Sequence, residues 1–485
     1  MSGLRKSPYL ALLPVFVGVF IAADDQTVIV TVLPEIMFDL RVQINELDRA
    51  SWTITGYLLG YVAAMPLMGR MSDVWGHRNM YVASMLVFMA GSIVAALTTS
   101  LTWLIAARVV QAVGAGALVP ISIAIVGDLF EPERRAVPLG LMGASAEAGG
   151  VIGPLWGGLI SRFLDWPWVF WINIPLGALV LVMLLIMLGP SPRYPSRIDY
   201  IGGGLIAISL SMLTLALSRI DALGWPFVVY VAAAVVTFGL FLLRQRTTSD
   251  PLIPLEMFRA VSFSSANVIH LLLGAALIIG MVTVPLMANT VLGLTALDGG
   301  LMLMRMTIAI PFGAVAGGYA AQRFGYRVPS VVGLLLIALG YGLMSGWGLD
   351  IVDPAMTLHL ATAGLGFGLL IAPIALAATN SVDVGLRGAA SAVVTAMRIV
   401  GMTFGLAALT AWGVGRFAQL VVGLELPLPV AGETSEQSSA RVAEFEEHLI
   451  DAGLSVFSDF FLIAMGVALA AVVSTAFMVQ RRLSD

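Results

Sequence analysis

Residues 69–78 read GRMSDVWGHR, and residues 318–327 read GYAAQRFGYR. Both decapeptides carry glycine at the first and eighth places and arginine at the tenth, and each joins two long apolar stretches. Glycine lets the chain reverse tightly, while Asp73 and the arginines suit helix ends and lipid headgroups. One match of this kind is weak. A duplicate at equivalent places points to a chain built of two homologous halves.

Composition says what those halves are solvated by. Of 485 residues 59% are hydrophobic and 11% charged, against roughly 45–50% and about 25% in soluble domains. A soluble enzyme is excluded. The apolar segments fall at about 10–33, 50–69, 79–98, 102–127, 136–160, 168–189, 199–218, 224–243, 262–288, 298–321, 328–346, 357–379, 387–413 and 455–479, each near the length a bilayer requires. Arg5-Lys6 before Leu10 could open a signal peptide, but the apolar pattern resumes at Val28, as expected of a retained helix. An even number of spans puts both termini on one side. The loops of that side carry 16 basic residues and the opposite loops 6 (Arg41, Arg49, Arg162, Arg219, Arg416 and Arg441), which places the termini in the cytoplasm. With no cysteine and one lysine, Lys6, thiolate chemistry is excluded and cation chemistry is arginine chemistry.

In these motifs the chain resembles the major facilitator superfamily, whose loop signature G-x-x-x-D-x-x-G-x-R is met by Gly69, Asp73, Gly76 and Arg78; the second loop departs from it with Gln322 in place of the acid. Arg108, Gln111, Gly114 and Ala115 resemble the fourth-helix signature, with Ala112 where a glycine is usual. Gly140, Gly149, Gly153, Pro154, Gly157 and Gly158 match the antiporter signature, a spacing expected of exporters. Asp25, Thr27, Pro34, Trp166, Asn173 and Pro175 resemble the fourteen-helix drug:proton antiporter branch. Within it, residues 56–70, RIVGM from Arg398 and AWGVGRF up to Phe417 are most similar to its mycobacterial triacylglycerol exporters.

The resemblance implies an all-α integral membrane protein of the bacterial plasma membrane. Its expected parts are a six-helix bundle over 1–189, a linker with two further spans over 190–260, opened by Pro190, Pro192 and Pro195, and a second six-helix bundle over 261–485. It implies a monomer that needs no cofactor beyond the proton gradient, binds no nucleic acid, and meets membrane lipids, a hydrophobic substrate and an outer lipoprotein acceptor. It also implies that Asp73 locks the halves near a helix start of the other bundle, close to Gly385.

Charges inside spans are costly, about 2.5–3.5 kcal/mol each on insertion scales, and mark function by default. Asp25 and Glu147 are the candidate proton-coupling acids, and Arg108, Arg398 and Arg305 their candidate partners. Asp24 is expected at the outer interface, and His270 is either a proton relay or a hydrogen-bonded packing residue. The glycines and Pro154 of the antiporter motif either form a smooth surface for bundle sliding or a close-packed contact. Polar pathway groups are few (Gln111, Asn289 and Asn380), whereas Met85, Met89, Met281, Met287, Met302, Met304, Met306, Met397 and Met402 would suit variable apolar ligands. The longest outer segment, about 414–454, begins with Phe417–Val422 as an extension of the span, breaks at Pro427 and Pro429, and restarts at the capping box Thr434–Gln437. Val442, Phe445 and Leu449 then line one face of an acidic helix. It either shields an emerging lipid or docks a partner, or it is a solvated cover.

The expected activity is proton-coupled export of apolar or amphipathic molecules by alternating access, lipids such as triacylglycerols first and multidrug antiport as the alternative. Midspan acids with arginines suit alternating access better than a channel. No metal cluster, nucleophile with a base, nucleotide loop or soluble domain speaks for an enzyme or a sensor.

Overall fold

The computed structural model describes residues 8–42, 47–194, 196–217, 224–422, 424, 427 and 434–478. Arg5, Lys6, Pro195, Arg219, Pro429, Arg481 and Arg482 lie outside them. The helices are α1 (Pro8–Asp39), α2 (Leu47–Trp75), α3 (His77–Leu97), α4 (Leu101–Leu129), α5 (Ala136–Phe163), α6 (Trp168–Trp171), α7 (Asn173–Met187), α8 (Tyr200–Leu217), α9 (Trp225–Thr247), α10 (Val261–Thr290), α11 (Ala296–Phe324), α12 (Arg327–Met344), α13 (Ala355–Thr379), α14 (Arg387–Leu420) and α15 (Ser435–Thr475). The described residues contain no strand.

Among the described residues thirteen stretches are long and apolar enough to cross a membrane, α6 and α7 together counting as one. The fourteenth span is α2, whose apolar run is diluted by Thr53, Thr55, Gly56, Tyr57, Gly60 and Tyr61. That dilution has a structural cause, because α2 packs on other helices along much of its length and Thr53, Tyr57 and Tyr61 are buried. In the first bundle α1 packs on α5, and α4 on both α2 and α3; in the second α11 packs on α13, α10 on α14, and α12 and α10 on α15. The bundles meet where α5 touches α11 and where α14 touches α2 and α4. The α8–α9 hairpin lies beside this seam, with α8 against both α2 and α14.

The repeated turns share a backbone solution. Gly76 has φ +91° and Gly325 φ +74°, a region in which a Cβ is strained. Both turns lie on the side where α1 begins and α15 ends, called here the near face.

On the far face the structure corrects one expectation. The acidic segment and the last span are a single 41-residue helix, about 60 Å long, roughly twice the ~30 Å hydrocarbon core. Thr434 and Gln437 cap it reciprocally, so it starts where the sequence signals a start, but nothing after Ser435 stops it. Its first buried residue is Ala452. Beside it α14 continues to Leu420, and Arg416 Nε meets Asp459 Oδ2 at 3.2 Å between the two rods.

Candidate functional site

Three charged centres lie along the bundle seam or close to it. The deepest is Asp25, 1% exposed, on α1. Arg108 Nη1 donates to its Oδ2 at 2.5 Å, while Gln111 Nε2 and Asn173 Nδ2 donate to Oδ1 at 2.7 and 2.8 Å. Arg108 also donates to Gln111 Oε1 at 2.7 Å, and its guanidinium lies 4.0 Å from the Tyr57 ring centroid. Each charge is therefore met several times over, by α1, α2, α4 and α7 of one bundle. The break between α6 and α7 sets Asn173 at a helix start beside the carboxylate. Gln111, an expected pathway group, is consumed here.

Neighbouring Asp24 is buried, not at the outer interface, and its Oδ1 has no hydrogen-bond partner among the described residues. Its main chain faces α5, where a Cβ on Gly153 would lie 2.7 Å from Asp24 O.

The second centre is built differently. Glu147 on α5 and Arg398 on α14 each lie 11 residues (147 minus 136; 398 minus 387) past the near-face start of their helices, about 16 Å in. Arg398 Nη1 donates to Glu147 Oε1 at 2.6 Å. The pair joins the two bundles, and its side chains are 15% (Glu147) and 29% (Arg398) exposed. A single hydrogen bond between movable bodies is easier to break than the Asp25 network. His270 stands near by, its Nδ1 at 2.6 Å from Val394 O; this bond ties α10 to α14, as a packing histidine would.

The third centre closes the near face. Asp73 Oδ1 accepts from Gly388 N at 2.8 Å and Oδ2 from Ala389 N at 3.1 Å, at the start of α14. A helix start carries about half a positive charge, and two amides aimed at one carboxylate fix the register of the bundles. Gly69 permits the approach, since a Cβ there would meet Ala392 Cβ at 2.5 Å and Gly388 O at 2.7 Å. Around it Arg70 donates to Gly385 O (3.1 Å), Arg387 to Gly127 O (2.8 Å) and Arg135 to Asn380 Oδ1 (2.8 Å), each across the seam. Arg78 instead holds the end of α7 and the chain after it, its side chain donating to Leu185 O and its main-chain N–H to the Ser191 hydroxyl. The sequence places Arg70 and Arg78 in a turn suited to bonding helix ends, but offers Arg135 and Arg387 for orientation alone and Asn380 as a pathway group; the place of these residues in turns at bundle ends is the available signal. In the second-repeat turn Gln322, at the place of Asp73, is exposed.

Arg305 leaves the group of buried ions. It pairs with Asp353 of the far-face loop at 2.7 Å, both side chains partly exposed. The Thr357 hydroxyl and Arg305 hold the Asp353 carboxyl below its ordinary range. The antiporter glycines divide as well. Gly140 faces α11, where a Cβ would lie 3.1 Å from the Gly318 Cα, but Gly149, Gly153 and Gly157 face α1 of their own bundle. Gly158 meets nothing within 4 Å, and Pro154 is exposed within α5. Of these glycines Gly140 thus meets the other bundle, while Gly149, Gly153 and Gly157 make close-packed contacts within their own. Met85, Met287, Met302 and Met306 are buried in the core, whereas Met397 and Met402 beside Arg398 are partly exposed.

The Major Facilitator Superfamily model matches residues 15–406. The triacylglyceride transporter of Mycobacterium tuberculosis is 38% identical over 456 residues, covering 89% of this chain and 87% of that protein. The triacylglyceride transporter of Mycobacteroides abscessus is 35% identical, covering 91% of this chain and 88% of its own length. Among solved structures, the human organic anion transporter TETRAN superposes with a TM-score of 0.63 at 16% identity, covering 96% of this chain and all of that one. The proton:xylose symporter XylE superposes with a TM-score of 0.61 at 15% identity, covering 94% of each chain. At such identities the two structures speak for the fold alone.

Proposed function

Because the chain belongs to the Major Facilitator Superfamily and is a membrane transporter, not an enzyme, we propose that it exports apolar lipids of the triacylglycerol class in exchange for protons. The observation that carries this reading is the ion pair Glu147–Arg398 between the bundles. The arginine bias assigns the near face to the cytoplasm, so the latched state is open outward. A proton arriving from outside neutralises Glu147 and removes its attraction to Arg398. The bundles then part at the near face, Glu147 releases its proton inward as substrate enters, and the recharged pair draws them together again. Asp25 is proposed as the rigid pivot of the first bundle, with its charge held by three donated hydrogen bonds. Lipid is favoured over polar cargo by Met397 and Met402, partly exposed beside Arg398, and by the names of the relatives.

Purified protein in liposomes, with a fluorescent triacylglycerol and a cationic dye offered in turn, tests the reading. Lipid flux that is uphill and scales with an imposed pH gradient is the expected result; dye flux alone would favour a multidrug antiporter, and downhill flux alone a channel.

The far-face rods belong to the same proposal. Deleting residues 424–450 should slow lipid release several-fold while leaving dye efflux unchanged, because a small dye needs no apolar path beyond the membrane. Equal lipid release from the deleted protein would refute a shielding role.

A further inference from the structure

Beside the latch stands a histidine that the transport cycle above does not use. His77, the first residue of α3, is wholly buried between two carboxylates. Its Nδ1 lies 2.6 Å from Asp128 Oδ2 on α4, and its Nε2 lies 3.2 Å from Asp73 Oδ1, the same oxygen that accepts from Gly388 N. A neutral imidazole has one N–H and one lone pair, so it can satisfy only one of these carboxylates and turns a lone pair on the other; the imidazolium donates to both. We propose that Asp73, His77 and Asp128 form a second proton-binding site, loaded from the near-face side, whose occupancy holds the near-face latch shut.

The inference rests on the alternating-access reading, and charge sets its direction. With the ring neutral, two carboxylates are buried on either side of an uncharged ring, and burying charge without compensation is expensive. With the ring protonated the trio carries one net negative charge, which the start of α14 offsets in part. Opening the near face would hydrate the trio and remove that demand, so closure takes up a proton and opening returns it to the same side. Such a proton sets the rate of the cycle and is not transported. The other groups around the trio are Arg70 on α2, Arg78 on α3, Arg135 before α5, Arg193 and Tyr194 in the connector after α7, and Arg387 on α14. Arg70, Arg135 and Arg387 donate to carbonyl oxygens, Gly385 O, Gly127 O and Phe130 O. Tyr194 donates its main-chain N–H to Asp73 O at 2.9 Å, and Arg193 packs at Gly76. None of them interposes between His77 and either carboxylate.

The chain has no native cysteine, so spin labels can be placed at Glu133→Cys and Gln322→Cys, exposed near-face positions on opposite bundles. Distances between them are read in lipid nanodiscs, without substrate or gradient, from about pH 6 to about pH 10.5, a range extended upward because neighbouring carboxylates favour the charged form of a histidine. The expected result is a short-distance population that falls several-fold as pH rises. His77→Arg, a permanent cation, should stay short throughout, and His77→Gln should favour the long distance with no response over that range. A wild-type distribution indifferent to pH, or an unchanged response in His77→Arg, would overturn the proposal. Should His77→Gln fail to fold, the wild type and His77→Arg decide between them. Loss of gradient-driven lipid flux with the pH response intact would count against the transport reading and not against this site.

Discussion

Glu147→Gln should reduce lipid transport driven by a pH gradient by an order of magnitude or more, to the rate seen with no gradient. The amide cannot ionise, so Arg398 loses its charged partner and the bundles lose the attraction that a proton is proposed to switch off. Counterflow, in which labelled lipid exchanges for unlabelled lipid with no net proton movement, should persist. A packing contact would behave otherwise, because its loss would depress both measurements together. Glu147→Gln with full gradient-driven transport sinks the assignment of Glu147. Loss of counterflow as well would reduce the pair to a structural tie.

Asp25→Asn should act on stability first. Arg108, Gln111 and Asn173 all point donors at the carboxylate, and the asparagine amino group would set donor against donor within that ring. Breaking a buried pair by removing one partner costs about 3–5 kcal/mol, so the variant should lose its monodisperse elution at a markedly lower temperature than the wild type. Asp25→Leu combined with Arg108→Met should recover much of that loss, since apolar replacement of both ions leaves no charge stranded. Heating followed by fluorescence-detected size exclusion measures each. Wild-type stability of Asp25→Asn, with transport lost, would instead put Asp25 on the proton path.

The two predictions differ because the two acids, equivalent in the sequence as midspan carboxylates, are in different surroundings. Asp25 takes its donors from two other helices of its own bundle, α4 and α7, while Glu147 has one partner on a helix that starts 251 residues after the start of α5 (387 minus 136). No local pattern links residues so far apart in the chain. Arg305 shows the same limit from the other side. Its place in a span marked it as an intramembrane ion, but α11 starts at the far face and Asp353 reaches it from the loop before α13.

What the sequence determined by itself was whatever depends on neighbours along the chain or on solvent. The spans follow from apolar length. The two turns follow from Gly76 and Gly325, the start of α15 from Thr434 and Gln437, and the fold from motifs spaced along single helices. Tertiary structure alone decided which helix each face meets. It turned Gly149, Gly153 and Gly157 toward α1 and Gly140 toward the other bundle, joined the outer segment to the last span as one rod, and set His77 between two acids. In a membrane the apolar faces of a helix are alike to lipid and to other helices. Periodicity therefore cannot name the partner, and only close approach of small residues and the pairing of the few buried charges can.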